Sequence, residues 1–515
     1  MNLKINYHFL VAIALLYLAI GDVLFMFCWF QPWVAMVVMI GIVATIAIYY
    51  FNSTKDIEYW ILTRSDSCKI VVAFVLISLP LLSTGIMGFY GTHWDYYSFR
   101  QAFYLNLIDA PYPIILPDGR EMTYYLAGML PASILSRFTN SSIVQQFILY
   151  AWNMIAYYLV LLIAYHALKR TSLLFVFLLL FFHDPLTILF PPFDGSALGM
   201  KAIRYISYLT DIPFDAIGSP HTAQNCIGLS VNTSALFATS APMLATIIIM
   251  TLKKYQTLII PLIIALLLPC SPLGAVFCFF VAVFAYFKNL KIREFYKELP
   301  KLIIPLFLAV TCAVYYLRGE GDTVANFTIS VWGWLEFLLF YSRTILLSLL
   351  FIIPVWYRVK SDSIFVSFCL ATLFVMFFFI GSSPESGMHG FNELWLKSST
   401  TVMMVLIFYW CKYVPQKRTW KYLPVFIASI FAYFFMLHLI KGFSFSTDVR
   451  DDWNGHVAHN HKCIYQKIPN CHSPIIPGLL LTENGESEKR FPAFFLPKAK
   501  GCDYTRQPNV SSECR

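Results

Sequence analysis

The amino-acid sequence predicts an all-α polytopic membrane protein with about thirteen transmembrane helices. Hydrophobic residues make up 58% of the chain and charged residues only 13%, and the mean hydropathy is +0.66. Apolar runs long enough to cross a hydrocarbon core, which takes roughly 20 residues, recur along the chain. Short loops rich in Lys and Arg alternate with these runs, which is the pattern of a chain that crosses a membrane repeatedly.

The predicted helices follow the apolar runs in chain order. The first run is too long, and too closely followed by the second, to be a cleaved signal peptide. Ser271-Pro272 separates two runs and is compatible with a tight turn or with a kink, and the run 398–413 is short for a span. The runs cover residues 7–27, 30–51, 70–91, 145–168, 171–190, 236–252, 256–270, 272–288, 301–317, 332–356, 362–381, 398–413 and 422–440.

The basic loops predict the orientation, because short loops rich in Lys and Arg stay cytoplasmic. If the N-terminus with Lys4 lies inside, every short basic loop falls on the cytoplasmic side, and the net charge of +9 is mostly topogenic. The sequence contains no basic–aromatic recognition module and no phosphate-binding glycine loop, so no nucleic-acid partner is predicted. The loops contain Lys55, Arg64, Lys69, Lys169, Arg170, Lys253, Lys254, Lys288, Lys291, Arg293, Lys297, Arg358, Lys360, Lys412, Lys417, Arg418 and Lys421.

The same alternation predicts five outer segments and divides the chain into two regions. Residues 1–440 form a transmembrane domain without an internal repeat, and residues 441–515 form a small extracytoplasmic tail. A tail of this size is near the lower limit for an independent core, so disulfides or docking onto the membrane domain would support it. The outer segments are 92–144, 191–235, 318–331, 382–397 and 441–515.

The tail contains Cys463, Cys471, Cys502 and Cys514, four of the twelve cysteines of the chain. An even number in an extracytoplasmic segment favours disulfides, and three pairings are open. The run G-H-V-A-H-N-H-K-C at 455–463 offers zinc-ligand types, but its spacing matches no standard zinc pattern. Disulfides or a plain surface are therefore predicted here, and no metal site.

The first outer segment carries a dense group of ionisable residues at the predicted membrane edge. Such groups are costly to keep in a membrane protein, and they mark functional sites by default. We therefore place the predicted site in this segment. The group consists of Asp95, Arg100, Asp109, Asp118, Arg120 and Glu121.

Two local sequence patterns predict the secondary structure of the same segment. Four apolar residues recur at helical spacing and predict a helix whose apolar face lies on the membrane surface. The stretch from Thr123 to Phe138 is too short to span and contains Pro131, so it predicts a re-entrant or interfacial segment. The four apolar residues are Tyr96, Phe99, Phe103 and Leu107.

The loop resembles the first extracytoplasmic loop of GT-C-type integral-membrane glycosyltransferases. The resemblance is carried by H-W-D-Y-Y-S-F-R at 93–100 and by Y-P-I-I-L-P-D-G-R-E-M-T-Y-Y-L-A-G-M-L-P-A at 112–132. Asn232-Thr233-Ser234 and F-N-E-L-W-L-K-S-S at 391–399 each precede a predicted span and are weaker echoes. The resemblance is architectural and covers roughly residues 70–440. In the family the loop follows the first helix, whereas here it follows the third, so two extra leading helices are expected.

The resemblance implies transfer of a sugar from a polyprenyl-phosphate donor to an extracytoplasmic glycan, lipid or protein acceptor. An acceptor hydroxyl attacks the sugar while a carboxylate removes its proton, and Asp95 is the implied base. An Asp here is also suited to cap a helix that begins at Tyr96, and the two roles are compatible. A divalent cation is compatible with this chemistry as a cofactor.

A lipid-phosphate donor needs cations on the outer side, where Arg gives bidentate and Lys gives point-charge contacts. Snorkelling toward headgroups is the alternative role for such residues. Further polar groups at the loop edges are implied to line the site, although Asp109 and Asp118 suit a helix end and a turn. The phosphate-binding candidates are Arg100, Lys201, Arg204, Arg318 and Lys397, and the lining candidates are His93, Arg120, Glu121, His221, His389 and Asn392.

Other ionisable residues and other functions stay open. Asp22 in the first run and His183-Asp184 in the fifth favour support of the site or bundle packing over direct chemistry. An O-antigen-type ligase or polymerase would rely on Arg and His of later loops, which Arg204 and His221 could supply. A transporter or flippase would spread ionisable residues along the membrane interior, and a scaffold would only bind partners. A bacterial inner membrane is the predicted location, with the endoplasmic reticulum as the alternative.

Overall fold

Most of the residues that the computed structural model describes are helical, and among them four helices are long and apolar enough to cross a membrane. These four are Tyr7–Trp29, Pro32–Ser53, Val144–Leu168 and Leu299–Tyr316. The described residues are 3–53, 59–82, 104, 107–108, 112–114, 125–182, 236–286, 292–318, 328–329, 345, 348–379, 393–414, 419 and 421–431.

The N-terminal helices begin where the sequence supplies a start signal. Helix α1 (Tyr7–Trp29) is capped by Asn6, whose side-chain oxygen accepts a hydrogen bond from the His8 N–H at 2.9 Å. Helix α2 (Pro32–Ser53) begins at a proline, which lacks the N–H that a first helical turn would leave unpaired.

Most of the remaining helices overlap the predicted apolar runs, but Leu130–Ser136 lies outside all of them and Trp356–Val359 shares only Trp356 with a run. Phe378–Phe379, within the run 362–381, form a strand, and the total of thirteen spans stays a prediction. Several extend beyond the run on one side, because polar residues can continue a helix past its apolar stretch. In chain order they are α3 (Arg64–Leu82), α4 (Leu130–Ser136), α5 (Ser142–Leu168), α6 (Leu173–Phe181), α7 (Leu236–Thr251), α8 (Gln256–Leu267), α9 (Pro272–Tyr286), α10 (Ile292–Arg318), α11 (Trp356–Val359), α12 (Ser363–Phe377) and α13 (Glu393–Tyr413). A 3₁₀ turn, Ile353–Val355, precedes α11, and residues 423–431 are helical.

The two alternatives at Ser271-Pro272 are resolved in favour of a turn. Helix α8 ends at Leu267, and the Ser271 N–H donates to the Leu267 carbonyl at 2.6 Å. Helix α9 then begins at Pro272 and packs back against α8. Residues 256–286 therefore form a helical hairpin.

Helix α7 lies among the other helices and is buried along its described length. It packs against α5, α13 and α9, while α1 packs against α2, α5 and α8. Helix α12 covers α9, and α10 lies against α8. The large side chains in this core that are almost fully buried include Trp29, Tyr49, Tyr157, Tyr315 and Trp410.

Two short antiparallel ribbons accompany the helices. Strand β1 (Leu3–Asn6) pairs with β2 (Tyr59–Leu62), with Leu3 opposite Leu62. Strand β3 (Thr328–Ile329) pairs with β4 (Phe378–Phe379), with Thr328 opposite Phe379. The first ribbon brings the N-terminus onto the connection between α2 and α3.

Several loops predicted to be cytoplasmic meet at one end of the helices. The Tyr255 hydroxyl donates to the Asn52 carbonyl at 2.8 Å, which joins the start of α8 to the end of α2. Tyr7 lies 2.8 Å from the Thr251 hydroxyl, which joins the start of α1 to the end of α7. The β1–β2 ribbon links these contacts to the end of α5, because the Trp60 and His166 rings are in contact. These loops therefore share one end of the helix bundle, and the side of a membrane that this end faces stays a prediction.

Two arginines at this end bind the last carbonyls of α13. The Arg170 guanidinium donates to the Cys411 carbonyl, and Arg358 donates to the Tyr413 carbonyl at 3.1 Å. The C-terminal carbonyls of a helix lack intrahelical donors and carry the negative end of the helix dipole. The guanidinium groups therefore satisfy these carbonyls and connect α13 to the turn after α5 and to helix α11.

Asp66 connects the start of α3 to the turn between α5 and α6. The Thr63 backbone N–H donates to Asp66 Oδ2 at 3.2 Å, and the Asp66 N–H donates to Thr63 Oγ1 at 3.1 Å, which together form a capping box. The Thr63 hydroxyl also donates to Asp66 Oδ2, at 2.7 Å. The Thr171 hydroxyl donates to Asp66 Oδ1 at 3.0 Å. These hydrogen bonds, that of Thr63 above all, favour the ionised carboxylate and lower the pKa of Asp66.

Replacing Asp66 is expected to reduce stability in a pH-dependent manner. Because the pKa of Asp66 is lower in the folded than in the unfolded chain, its stabilisation is present above the unfolded value, about 3.9, and is lost as pH falls through the folded value. Asp66→Ala should cost about 0.5–2 kcal/mol at neutral pH, the range for loss of a helix cap. Thermal unfolding of wild type and Asp66→Ala at a series of pH values measures this difference. Thr171→Val measures how much of it comes from the hydrogen bond between Thr171 and Asp66. A difference that persists unchanged at acid pH contradicts the prediction.

The described cysteines Cys28, Cys68, Cys270, Cys278, Cys312, Cys369 and Cys411 are free thiols. Most of them lie in or next to apolar helices. The tail, with the four cysteines predicted to pair and the histidine-rich run, lies outside the described residues. The predicted disulfides therefore stay a prediction.

Candidate functional site

The residues predicted to form the site lie outside the part of the chain that the structure describes. Lys397 belongs to α13 and Arg318 to α10, but their side chains are not described. Asp109, Asp118 and the pair His183-Asp184 also lie in undescribed segments. The roles of these residues stay predictions. The other predicted site residues outside the description are His93, Asp95, Arg100, Arg120, Glu121, Lys201, Arg204, His221, His389 and Asn392.

The described pieces of the first outer loop are packed into the helix bundle. Tyr104, Leu107, Ile108 and Ile114 are buried and belong to the main hydrophobic core. The sequence predicts Leu107 on a face that lies on the membrane surface, and this is wrong, because Leu107 is 0% exposed inside the protein. Helical spacing of apolar residues is the same for a face that meets lipid and a face that meets protein.

The stretch from Tyr125 to Phe138 forms turns followed by the short helix α4. Pro131 occupies the first turn of α4, where a missing N–H has no cost, and so it does not interrupt the helix. Leu126, Ala127 and Leu130 are fully buried, and the Ala127 N–H donates to the Pro269 carbonyl at 3.3 Å. This stretch therefore packs within the bundle, against the turn between α8 and α9.

Arg137 and Tyr112 both bind one backbone carbonyl of the first outer loop. The Tyr112 hydroxyl and the Arg137 guanidinium both donate to the Leu107 carbonyl, at 2.5 and 2.9 Å. The guanidinium also lies over the Tyr112 ring, 4.1 Å from its centroid, in a cation–π contact. On the other side the Tyr112 ring meets Trp29 of α1, with the centroids 5.5 Å apart.

A second tyrosine fixes the loop to the start of α5. The Tyr104 hydroxyl donates to the Gln145 carbonyl at 3.0 Å and lies 2.7 Å from the Ser136 hydroxyl. Burial raises the pKa of Tyr104 and of Tyr112, and for Tyr112 the Ser133 hydroxyl and the Arg137 cation oppose that rise. Both phenols are therefore neutral donors at physiological pH and act as fixed hydrogen-bonding supports.

The structure also reveals a buried carboxylate near this loop. Asp22 of α1 is 0% exposed, and its Oδ1 accepts a hydrogen bond from the Cys270 thiol at 3.6 Å. Its Oδ2 has no hydrogen-bond partner in the described part of the protein. The neighbouring Gly21 lies so close to the first outer loop that a Cβ there would be 2.6 Å from the Ala127 carbonyl oxygen.

Sequence reasoning did not single out Arg137, Tyr112 or Cys270. The sequence does indicate that Arg137 is unusual, because Lys and Arg are scarce in outer segments under the positive-inside rule. Cys270 had no such signal, since it is separated from Asp22 by 248 residues. Among the residues that the structure describes, no three His, Cys, Asp or Glu side chains come together in a way that could hold a metal ion.

No protein-family model, curated protein or solved structure matches this chain.

Proposed function

We propose that this protein is a membrane glycosyltransferase that moves a sugar from a polyprenyl-phosphate donor to an extracytoplasmic acceptor. The observation that carries the proposal is the docking of the first outer loop into the bundle through Tyr104, Tyr112 and Arg137. A loop that hangs free in water cannot hold catalytic groups in place, whereas a loop with buried supports can. The docking supports the assignment of Asp95, Arg100, Arg120 and Glu121 to a site at the membrane edge.

In the proposed reaction an acceptor hydroxyl attacks the anomeric carbon of the lipid-linked sugar. Asp95 takes the proton of that hydroxyl, and the bond to the phosphate oxygen breaks with its electron pair staying on the polyprenyl phosphate. The growing charge on the leaving phosphate calls for cations, and Arg100, Lys201, Arg204 and Lys397 are assigned to it. His93, Arg120, Glu121, His221, His389 and Asn392 are assigned to the walls of the site.

The test is glycan and lipid-linked-saccharide profiling of cells that carry Asp95→Asn, compared with wild type and with a deletion. Asp118→Asn is the matched control, because it removes a carboxylate of the same loop from a residue that suits a turn. The proposal expects Asp95→Asn to reach the membrane at normal level and to reproduce the missing sugar of the deletion, while Asp118→Asn behaves as wild type. Addition of EDTA to the membranes tests whether sugar transfer requires a divalent cation.

Two outcomes would contradict the proposal in different ways. If deletion changes no glycan, the protein is not a glycosyltransferase of the cell envelope. If deletion removes a sugar but Asp95→Asn does not, the base lies elsewhere, and Arg204 and His221 become the next residues to replace, as for an O-antigen-type ligase or polymerase.

A transporter or flippase is the second candidate, and the buried carboxylate of Asp22 favours it. Ionisable residues inside a membrane domain commonly mark transport paths. Under this function, deletion would accumulate a lipid-linked saccharide on the cytoplasmic side without loss of any transferase activity in broken membranes. Assay of sugar transfer in detergent extracts separates the two candidates.

A further inference from the structure

Asp22 lies deep within α1, far from either end of the helix. It follows Tyr7 by fifteen residues and precedes Trp29 by seven, which at 1.5 Å per residue corresponds to about 22 Å and about 10 Å along the helix axis. The residue is 0% exposed. Water therefore does not reach the carboxyl group in this conformation.

The groups around Asp22 are uncharged thiols, phenols and backbone. The Cys270 thiol, in the turn between α8 and α9, donates to Oδ1 at 3.6 Å, and Cys312 of α10 lies within electrostatic range of the carboxyl group. Tyr316 of α10 and Tyr17 of α1 interact with Cys270 at the border of this cluster. From the first outer loop, the Ala127 carbonyl lies against Gly21.

No cation among the described residues compensates a charge on Asp22. Its only described hydrogen-bond partner is the Cys270 thiol, and Oδ2 has none. An ionised carboxylate without a partner in such surroundings costs several kcal/mol, so it must bind a cation. A transition-metal ion would need about three His, Cys, Asp or Glu ligands, and no such group exists in the described part of the chain. A proton needs no ligand beyond the carboxylate itself.

We propose that Asp22 is a proton-binding site in the interior of this protein, occupied at neutral pH and sealed from water on the loop side by the contact between Gly21 and Ala127. The proton converts the carboxylate into a neutral acid whose O–H group is a hydrogen-bond donor. Release of the proton requires access of water to the buried carboxyl group, and therefore a local opening of the helices and loop packed around it. This site is independent of the proposed sugar transfer and holds for an enzyme or a transporter.

The experiment uses dicyclohexylcarbodiimide, an apolar reagent that modifies protonated carboxyl groups in apolar surroundings. The purified full-length protein in detergent micelles is treated at neutral and mildly alkaline pH, and the adducts are mapped by mass spectrometry. We expect an adduct on Asp22 at both pH values, and its loss in Asp22→Asn. Asp66→Asn is the matched control and should keep the adduct, because Asp66 is hydrogen-bonded and partly exposed as an ionised carboxylate.

A second measurement decides the matter if the reagent fails to enter or a variant fails to fold. The wild-type infrared spectrum should contain the C=O band of a protonated carboxylic acid, shifted in D₂O, and the band should be absent from folded Asp22→Asn or Asp22→Leu. Absence of both the adduct and the band overturns the proposal. Protection from the reagent by sodium, but not by choline at equal ionic strength, also overturns it, since the occupant would then be a metal cation.

Discussion

Trp29→Ala is expected to destabilise the protein by about 3–5 kcal/mol, the range for truncation of a large buried aromatic residue. Trp29 is 0% exposed at the end of α1, and its ring contacts Phe25, Tyr112 and Tyr315 at centroid distances of 5.3, 5.5 and 6.4 Å. Removal of the ring leaves a cavity between α1, α10 and the first outer loop. Because Tyr112 loses its contact with α1, the loop should also become accessible to protease.

The control is Trp29→Phe, which keeps an aromatic ring and removes an indole N–H. That N–H has no hydrogen-bond partner in the described part of the protein. Since a buried unpaired donor is itself costly, the phenylalanine variant should melt close to wild type. Thermal unfolding in detergent, combined with limited trypsin digestion, measures both effects. Equal losses in the two variants would show that the indole N–H contributes and that the unpaired donor has been misassigned.

Gly21→Ala is expected to destabilise the protein by about 1–3 kcal/mol through overpacking, reduced by the roughly 1 kcal/mol that alanine gains over glycine in a helix. A Cβ at this position would lie 2.6 Å from the Ala127 carbonyl oxygen and 3.2 Å from its carbon. Both atoms are backbone and cannot rotate away. Either α1 or the loop segment at Ala127 must therefore move.

Gly41→Ala in α2 is the matched control for this substitution. The added Cβ would lie 2.3 Å from the Cδ1 atom of Ile304, but its three closest contacts are all side-chain atoms of that one residue. Ile304 is partly exposed, and a side chain on another helix can shift more readily than a backbone carbonyl, so the cost of Gly41→Ala should be smaller. The melting temperature of Gly21→Ala should therefore fall further below wild type than that of Gly41→Ala. A stabilised Gly21→Ala protein would contradict the close approach of α1 to the loop.

The sequence predicted most of the described helical segments, because length and apolarity of a run are local properties, while the total of thirteen membrane spans stays a prediction. Its errors fell at helix starts, which depend on caps and polar first turns. Helix α3 begins at Arg64 through the Thr63–Asp66 capping box, six residues before the apolar run. Helix α13 begins at Glu393 and includes Ser398–Thr401, four hydroxyl residues that are buried although they lie at the edge of the predicted run.

The arrangement around the candidate site could not be predicted in the same way. Whether Leu107 faces lipid or protein depends on which element covers it, and spacing alone contains no such information. The contact of Asp22 with Cys270 joins distant parts of the chain, and the pairing of Arg137 with Tyr112 and Leu107 depends on the path of the loop. The predicted catalytic base and phosphate-binding residues stay predictions, since their side chains lie outside the described part of the structure.

The two arginines that bind the end of α13 have a consequence for experiments on membrane orientation. Such experiments commonly remove basic residues one by one and follow the position of reporter tags. Arg170 and Arg358 each donate a hydrogen bond to a carbonyl at the C-terminal end of α13. Their removal would therefore weaken the packing of the helices as well as alter the charge balance of the loops. A misplaced reporter in these variants would then report misfolding as readily as inversion.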